Sequence, residues 1–251
     1  MKLEQRIALV IGGSSGMGRA TALRLATEGF HVVVAARRES ICAAVVADIQ
    51  RRGGEASAMQ IDVTQDESVA NGFQTLQQRF GRLDAAFNNA GRTLGFSPTH
   101  ETPIQRLQDT LDINLIGTFR CMQHELRLMR ATGGGAIVNN ASIGATRGFA
   151  GIQDYCAAKS ALVGLSKSAA LEYAAQNIRI NVITPGLIAT ERYESLRTQP
   201  SSVIEQRLKD IPMGHAGSMD DIAATVCWLL SQHCGFITGA VIPIDGGECA
   251  R

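Results

Sequence analysis

The run Ile7-Ala8-Leu9-Val10-Ile11 leads without a break into Gly12-Gly13-Ser14-Ser15-Gly16-Met17-Gly18, and the reading of this stretch decides the fold. Five consecutive apolar residues without polar alternation are the pattern of a strand buried on both faces. Beyond the glycines, Ala20, Leu23, Leu25 and Ala26 return at roughly helical spacing before Gly29. Strand, glycine turn and helix in that order build a cradle for a diphosphate. Glycines remove side chains where backbone must approach phosphate, and a helix N-terminus offers unpaired N–H groups and the positive end of its dipole. The spacing is GxxxGxG, shifted from the commoner GxGxxG, and a glycine-rich run alone is equally compatible with a flexible turn.

Outward from that unit, apolar runs alternate with helical stretches, without repeat, low-complexity segment or linker. The patterns predict strands over 6–11, 31–36, 56–61, 84–88, 135–140, 179–184 and 240–244, and helices over 16–29, 39–52, 66–80, 103–131, 152–175 and 218–231. Such alternation calls for right-handed crossovers and hence a doubly wound α/β domain, a parallel seven-stranded sheet covered on both faces. Ligands then bind outside the carboxyl ends of the strands. The loops that follow those ends hold Gly12 to Gly18, Asn88 to Gly91, Ser142 and Pro185 to Thr190.

A second constellation is Tyr155 and Lys159 in YCAAK. Residues four apart lie on one helix face, so the ammonium can sit beside the phenol. A phenol titrates near 10, and bringing it to neutral pH takes about 4 kcal/mol of differential stabilisation, a large part of which a nearby cation can supply. In isolation the pair reads as an ordinary exposed helix turn, and only its context can overturn that.

Together these runs resemble the short-chain dehydrogenase/reductase family in its short form, over essentially the whole chain, with a cast close to 3-oxoacyl-thioester reductases. The matching positions are Gly12, Gly16 and Gly18, Asp62-Val63, Asn88-Asn89-Ala90-Gly91, Asn114, Ser142, Tyr155, Lys159, Pro185-Gly186 with Thr190, and Asp245-Gly246-Gly247. The resemblance implies an oxidoreductase that interconverts a ketone and a secondary alcohol. Tyr155 would be the proton donor for reduction and the base for oxidation, and Ser142 would hold the substrate oxygen. Lys159 would depress the phenol pKa and bind the nicotinamide ribose, and Asn114 would anchor a water leading to Lys159. It also implies that Gly12, Gly16 and Gly18 approach the diphosphate, with Met17 among the cofactor-binding residues and Ser14 a neutral donor toward a 2′-phosphate, and that Asp62 and Val63 flank the adenine. Asn89, Ala90 and Gly91 would line the adenosine side; Pro185, Gly186, Ile188 and Thr190 would meet the nicotinamide. Two departures stand out. Ile11 replaces a usual Thr, so a side-chain tie from the glycine turn to the Asn88 region is expected to be lost, and His215 replaces a usual Arg, which leaves open how the end of the substrate lid is anchored.

Cofactor choice turns on the end of the second strand, where Ala36 stands in place of the acid that NAD-type dinucleotide folds use. Arg37 and Arg38 follow, placed for charge-assisted contacts to a 2′-phosphate. The expectation is NADP(H), with NAD as the alternative in an alcohol, sugar or steroid dehydrogenase using the same site. A nucleotide-sensing protein without turnover is the reading from another class. The lid is expected at about 187–212, including the polar run Thr198 to Ser202.

Composition narrows the partners. Formal net charge is +1, from 24 basic and 23 acidic residues with no long run of either sign, so no nucleic-acid or membrane surface is expected. No apolar stretch reaches the ~18 residues of a membrane span, and the chain reads as cytoplasmic. Six cysteines and five histidines show no metal-ligand spacing, so no metal is expected. Cys156 reads as packing. Leu107, Leu111, Leu115, Phe119 and Met122 on one long helix, with Ala157, Ala161, Leu165 and Ala169 on another, exceed what one sheet contact needs. The resemblance implies that these helices pair across a two-fold axis in a homotetramer. At 251 residues, one domain accounts for the whole chain.

Overall fold

Seven parallel strands hydrogen-bond in the order β3-β2-β1-β4-β5-β6-β7. The computed structural model describes residues 5–191, 193 and 203–250. The strands are β1 (Ile7–Ile11), β2 (His31–Ala36), β3 (Glu55–Gln60), β4 (Ala85–Asn88), β5 (Gly135–Asn140), β6 (Ile178–Pro185) and β7 (Val241–Ile244). Between them run α1 (Gly16–Thr27), α2 (Glu39–Arg51), α3 (Asp66–Phe80), α4 (Ile104–Leu111), α5 (Gly117–Ala131), α6 (Gln153–Tyr173), α7 (Val203–Asp210) and α8 (Met219–Leu230). Strand order reverses between β1 and β4, so their carboxyl ends open a crevice outside the sheet. Register sets Ile11 beside both Ala35 and Asn88, which brings the Gly12 turn, the Arg37 end of β2 and the Asn89 loop together.

The unbroken apolar strands are buried on both faces, as a parallel sheet requires. On one face Leu9, Ile11, Val33, Ile137 and Ile180 pack with Phe73, Leu76, Met122 and Met129. On the other Ala8, Val10, Val32, Val34, Phe87 and Val138 pack with Leu25, Val45, Ile49, Ile222 and Val226. Each fully buried aliphatic side chain stabilises by about 1.5–3 kcal/mol. Met122 and Ala169 therefore belong to the core, against the expectation that grouped them with the pairing face. Leu107, Leu111, Leu115 and Leu165 are half-buried, and Phe119, Ala157 and Ala161 are exposed.

Two elements differ from the sequence reading. The expected single helix over 103–131 is α4 and α5 joined by a π turn at Asp112–Ile116, where the Gly117 N–H bonds the Asp112 carbonyl five residues back. The cause is Asn114, whose side-chain amide donates to the Thr110 carbonyl one turn earlier and so competes with the helical ladder. The segment expected as unpatterned lid contains α7. Its polar run Thr198 to Ser202 and Arg192 lie outside the described residues.

Candidate active site

The glycine turn is shaped by close approach. A Cβ at Gly18 would stand 2.2 Å from the Gly12 carbonyl oxygen, and one at Gly12 would stand 2.8 Å from the Ala90 nitrogen. Gly12 and Gly16 also have φ of 76° and 53°, which glycine adopts without strain. The turn is held by the Gly12 and Gly13 N–H groups donating to the Ala35 carbonyl at 2.8 and 3.1 Å. Ser15 is the extended N-cap residue of α1 and its side chain makes no cap bond, so the first N–H groups of the helix are not capped by it. Ser14 and Met17 are half-buried on either side of it, and Arg37 and Arg38 are exposed at the adjacent end of β2. These features fit a dinucleotide diphosphate: a cradle that side chains would fill, helical donors, and cations beside it.

The tie expected to be lost with Ile11 is made by another residue. Asn89 Nδ2 donates to the Gly12 carbonyl at 3.0 Å, and Asn140 Nδ2 donates to Asn89 Oδ1 at 2.8 Å. Asn140 was not foreseen in this role. Its one sequence signal is a second asparagine closing an apolar strand just before Ser142.

Four residues converge at the carboxyl ends of β4 and β5. Asn114 is fully buried; its Oδ1 accepts from the Arg92 N–H at 3.0 Å and its Nδ2 donates to the Arg92 carbonyl at 2.9 Å. Lys159, 2% exposed, donates to the Asn140 carbonyl at 2.7 Å. A Cβ at Gly91 would stand 2.6 Å from Asn114 Oδ1 and 3.1 Å from Lys159 Nζ, so both polar heads close on that glycine. Lys159 Nζ lies 5.6 Å from the centroid of the Tyr155 ring. Ser142 caps the short turn Ile143–Ala145, accepting from the Gly144 N–H at 3.1 Å. Capping uses the oxygen lone pair and leaves the hydroxyl hydrogen to donate, so the structural and catalytic readings of Ser142 are compatible. A Cβ at Gly144 would meet Cys156 Sγ at 3.3 Å, Ser142 Oγ at 3.5 Å and Tyr155 Cδ1 at 3.8 Å, which places the serine and the phenol ring around one point. Cys156 packs there too.

Burial sets the electrostatics. Desolvation pulls the Lys159 ammonium down to about 7. Beneath the site Glu125, on α5, is wholly buried and is pushed up to about 8 by the same cause, against the Asn88 Nδ2 bond at 3.0 Å that favours its charged form. Asn88 also donates to Asn139 Oδ1 at 2.9 Å, and Asn139 donates to Ser166 Oγ at 2.8 Å.

The remaining expected residues sit around this centre. Asp62, with Oδ1 accepting from Thr64 N–H and Oγ1, lies in the loop after β3, and Val63 packs against Gly117. Gly186 bonds the Ile244 carbonyl at 2.9 Å and leaves no room for a side chain beside Asp245. Ile188 pairs with Gly217 in an isolated bridge, and the Thr190 N–H donates to the Ile188 carbonyl. Among the described residues, the C-terminal end of the segment expected as lid is held by that bridge and by the Met213 N–H donating to the Gly246 carbonyl at 3.1 Å, while His215 Nδ1 lies 3.0 Å from the neighbouring Ala216 carbonyl. Behind it Glu248, buried, takes Arg147 at 3.2 Å and Arg207 at 3.5 Å.

A family profile described as Enoyl-(Acyl carrier protein) reductase matches residues 12–248. The chain belongs to the short-chain dehydrogenase/reductase family. Cyclohexanol dehydrogenase from Acinetobacter sp. (strain SE19) is 37% identical over 250 residues, covering 100% of this chain and 97% of the relative. Levodione reductase from Leifsonia aquatica is 36% identical over 256 residues, covering 99% and 96%. The crystal structure of a levodione reductase superposes with a TM-score of 0.93 at 35% identity over 98% of each chain. That of a variant actinorhodin polyketide ketoreductase with NADPH superposes with a TM-score of 0.92 at 29% identity over 99% of each chain. This short-chain dehydrogenase/reductase is thus an oxidoreductase of the CH–OH/C=O class.

Proposed function

We propose that the enzyme is an NADP(H)-dependent ketone reductase, or secondary-alcohol dehydrogenase in reverse, with Tyr155 as proton donor and acceptor. The observation that carries this reading is the convergence of Ser142 Oγ and the Tyr155 ring around Gly144, with Lys159 Nζ 5.6 Å from that ring. The bound nicotinamide would supply or accept the hydride. Reduction places negative charge on the carbonyl oxygen, so donors aimed at that oxygen lower the barrier. Ser142 keeps a hydroxyl hydrogen for this, and Tyr155 delivers the proton. Lys159, where protonated, sets a positive charge beside the phenol, and Asn114, tied to Arg92 and Thr110, holds the far side of the Gly91 loop. Gly12, Ser14, Gly16, Met17 and Gly18 would cradle the diphosphate, with Asp62, Val63, Asn89, Ala90 and Gly91 on the adenosine side and Pro185, Gly186, Ile188 and Thr190 at the nicotinamide.

NADP(H) preference follows from Ala36, which removes the repulsive acid, and from exposed Arg37 and Arg38 beside the glycine turn. Charge-assisted contacts of about 1.5–3 kcal/mol would favour NADPH by roughly ten- to a hundredfold in kcat/KM. The named substrates of the relatives suggest starting with cyclohexanone and cyclohexanol, then linear ketones and acyl thioesters. Steady-state assays with NADPH and NADH over this panel test the cofactor reading, and Ala36→Asp with Arg37→Ala should reverse the preference. Equal or better efficiency with NADH would assign the site to an NAD-dependent dehydrogenase. Tyr155→Phe should abolish turnover and leave dinucleotide binding near wild type; retention of more than a tenth of kcat would remove Tyr155 as the acid. Residues 187–212 would form the substrate lid of this one domain. A homotetramer is supported by the exposed Ile116 and Phe119 on the α4–α5 face, and light scattering at micromolar concentration showing only monomer would defeat it.

A further inference from the structure

Asp154 immediately precedes Tyr155 and is 2% exposed. Its Oδ2 accepts from Arg106 Nε at 3.1 Å and from Thr110 Oγ1 at 2.8 Å, and its Oδ1 accepts from Arg106 Nη2 at 3.4 Å. Arg106 spends its other donors on the loop between β4 and α4: Nη1 on Ser97 Oγ at 2.8 Å and Nη2 on Thr102 Oγ1 at 3.1 Å. Thr102 Oγ1 also accepts from the Gln153 side chain, and the Ser97 N–H donates to the Gly151 carbonyl. One arginine therefore ties the first turn of α6 to α4 and to the loop that starts at Gly91. Thr110 extends the tie, because its hydroxyl serves Asp154 while its carbonyl serves Asn114.

We propose that Asp154 and Arg106, closed by Thr110, are a positioning pair for Tyr155, fixing the first turn of α6 so that the phenol keeps its place beside Ser142 and feels no net charge from the pair. The inference rests on the reading of Tyr155 as proton donor. A buried ion pair adds little net stability, since desolvation offsets its attraction and well-packed apolar side chains would serve the α4–α6 contact as well. What a two-pronged guanidinium–carboxylate contact adds is orientation. Asp154 and Tyr155 share a helical turn, so rotation or sliding of α6 that breaks the bridge also displaces the phenol. Charge matters equally. A carboxylate beside a phenol disfavours the phenolate and a guanidinium favours it; the bridged pair cancels. Among the described residues, the other charged or titratable groups near this turn include Lys159 and Cys156 on α6 and Arg92 in the loop after β4, with Arg147, paired to Glu248, after the Ser142 turn.

The test uses the full chain with NADPH and the best ketone from the panel. It follows kcat, both KM values, NADPH affinity by fluorescence, and the alkaline limb of kcat at saturating substrates. Asp154→Asn leaves the Arg106 cation unbalanced, so kcat should fall about tenfold, NADPH affinity should stay within twofold, and the limb should move down by about half a unit. Asp154→Asn with Arg106→Met removes both charges, so the limb should return to its wild-type position while kcat stays low. Thr110→Val, nearly isosteric, should lower kcat about threefold without moving the limb. Wild-type kcat and an unmoved limb in Asp154→Asn would overturn the proposal, as would a lowered melting temperature alone. If Asp154→Asn does not fold, Thr110→Val decides: kcat within a factor of 1.5 of wild type, on the order of the assay's resolution, overturns it. Turnover surviving in Tyr155→Phe counts against the proton-donor reading itself and removes the basis of the inference.

Discussion

Replacing Glu125 by Gln should change stability in a pH-dependent way, the variant gaining on wild type as pH rises from 5 to 7.5. Glu125 lies wholly inside the α5 face of the sheet, one oxygen bonded to Asn88 and the other without a hydrogen-bond partner among the described residues, and burial lifts its carboxyl from 4.5 to about 8. In the unfolded chain it ionises near 4.5. The folded state therefore holds a proton that the unfolded state releases between these values. The stability it contributes is fully present below pH 4.5 and is lost as pH rises through 8. At 1.36 kcal/mol per pH unit the loss is about 1 kcal/mol at pH 5 and about 4 kcal/mol at pH 7.5. Glutamine cannot ionise, keeps an oxygen for the Asn88 amide, and places its NH2 where the unbonded oxygen was. The cost of that new buried donor, about 1–3 kcal/mol, does not depend on pH. The change in ΔΔG between pH 5 and 7.5 thus isolates the ionisation: Glu125→Gln should gain about 3 kcal/mol relative to wild type over that interval, or roughly 6–12 °C in Tm. Guanidinium denaturation followed by circular dichroism at the two pH values measures it. A ΔΔG equal at both, within about 0.5 kcal/mol, would refute a protonated Glu125.

Three further outcomes are expected. Gly18→Ala should abolish dinucleotide binding measured by fluorescence, because its Cβ would stand 2.2 Å from the Gly12 carbonyl oxygen and force the turn open; an affinity within threefold of wild type would contradict the fit of the cradle. Burial lowers Lys159 to about 7, so kcat/KM for NADPH should fall about tenfold per unit above that pH as the ammonium is lost from free enzyme, and a flat profile from pH 6 to 9 would contradict this. Arg179 donates to the Leu229 and Ser231 carbonyls at 2.7 and 2.9 Å, closing the end of α8; Arg179→Leu should cost about 2–4 kcal/mol in chemical denaturation with kcat unchanged.

The sequence alone determined the layers and the end of the sheet at which the candidate site lies. Unbroken apolar strands such as Ile7 to Ile11 and Val32 to Val34 can only be buried on both faces, and glycines where backbones touch leave a spacing that no side chain disguises. Helical periodicity puts Tyr155 and Lys159 on one face, but only the family resemblance over the whole chain singled the pair out from an ordinary helix turn. Tertiary structure decided what depends on residues distant in sequence. Asn89 makes the tie expected from position 11, and Asn140 holds Asn89 in place because β5 ends beside β4, a neighbour relation that local pattern does not encode. Asn114 splits a helix of continuous apolar period because its amide meets Arg92, 22 residues away, at the same time as Thr110. Arg106 and Asp154, 48 residues apart, carry no local signal of pairing, and only the packing of α4 on α6 brings them together. Glu125 is the extreme case: its helix looks amphipathic with an acid among apolar residues, and the raised pKa exists only because folding removes water from that face.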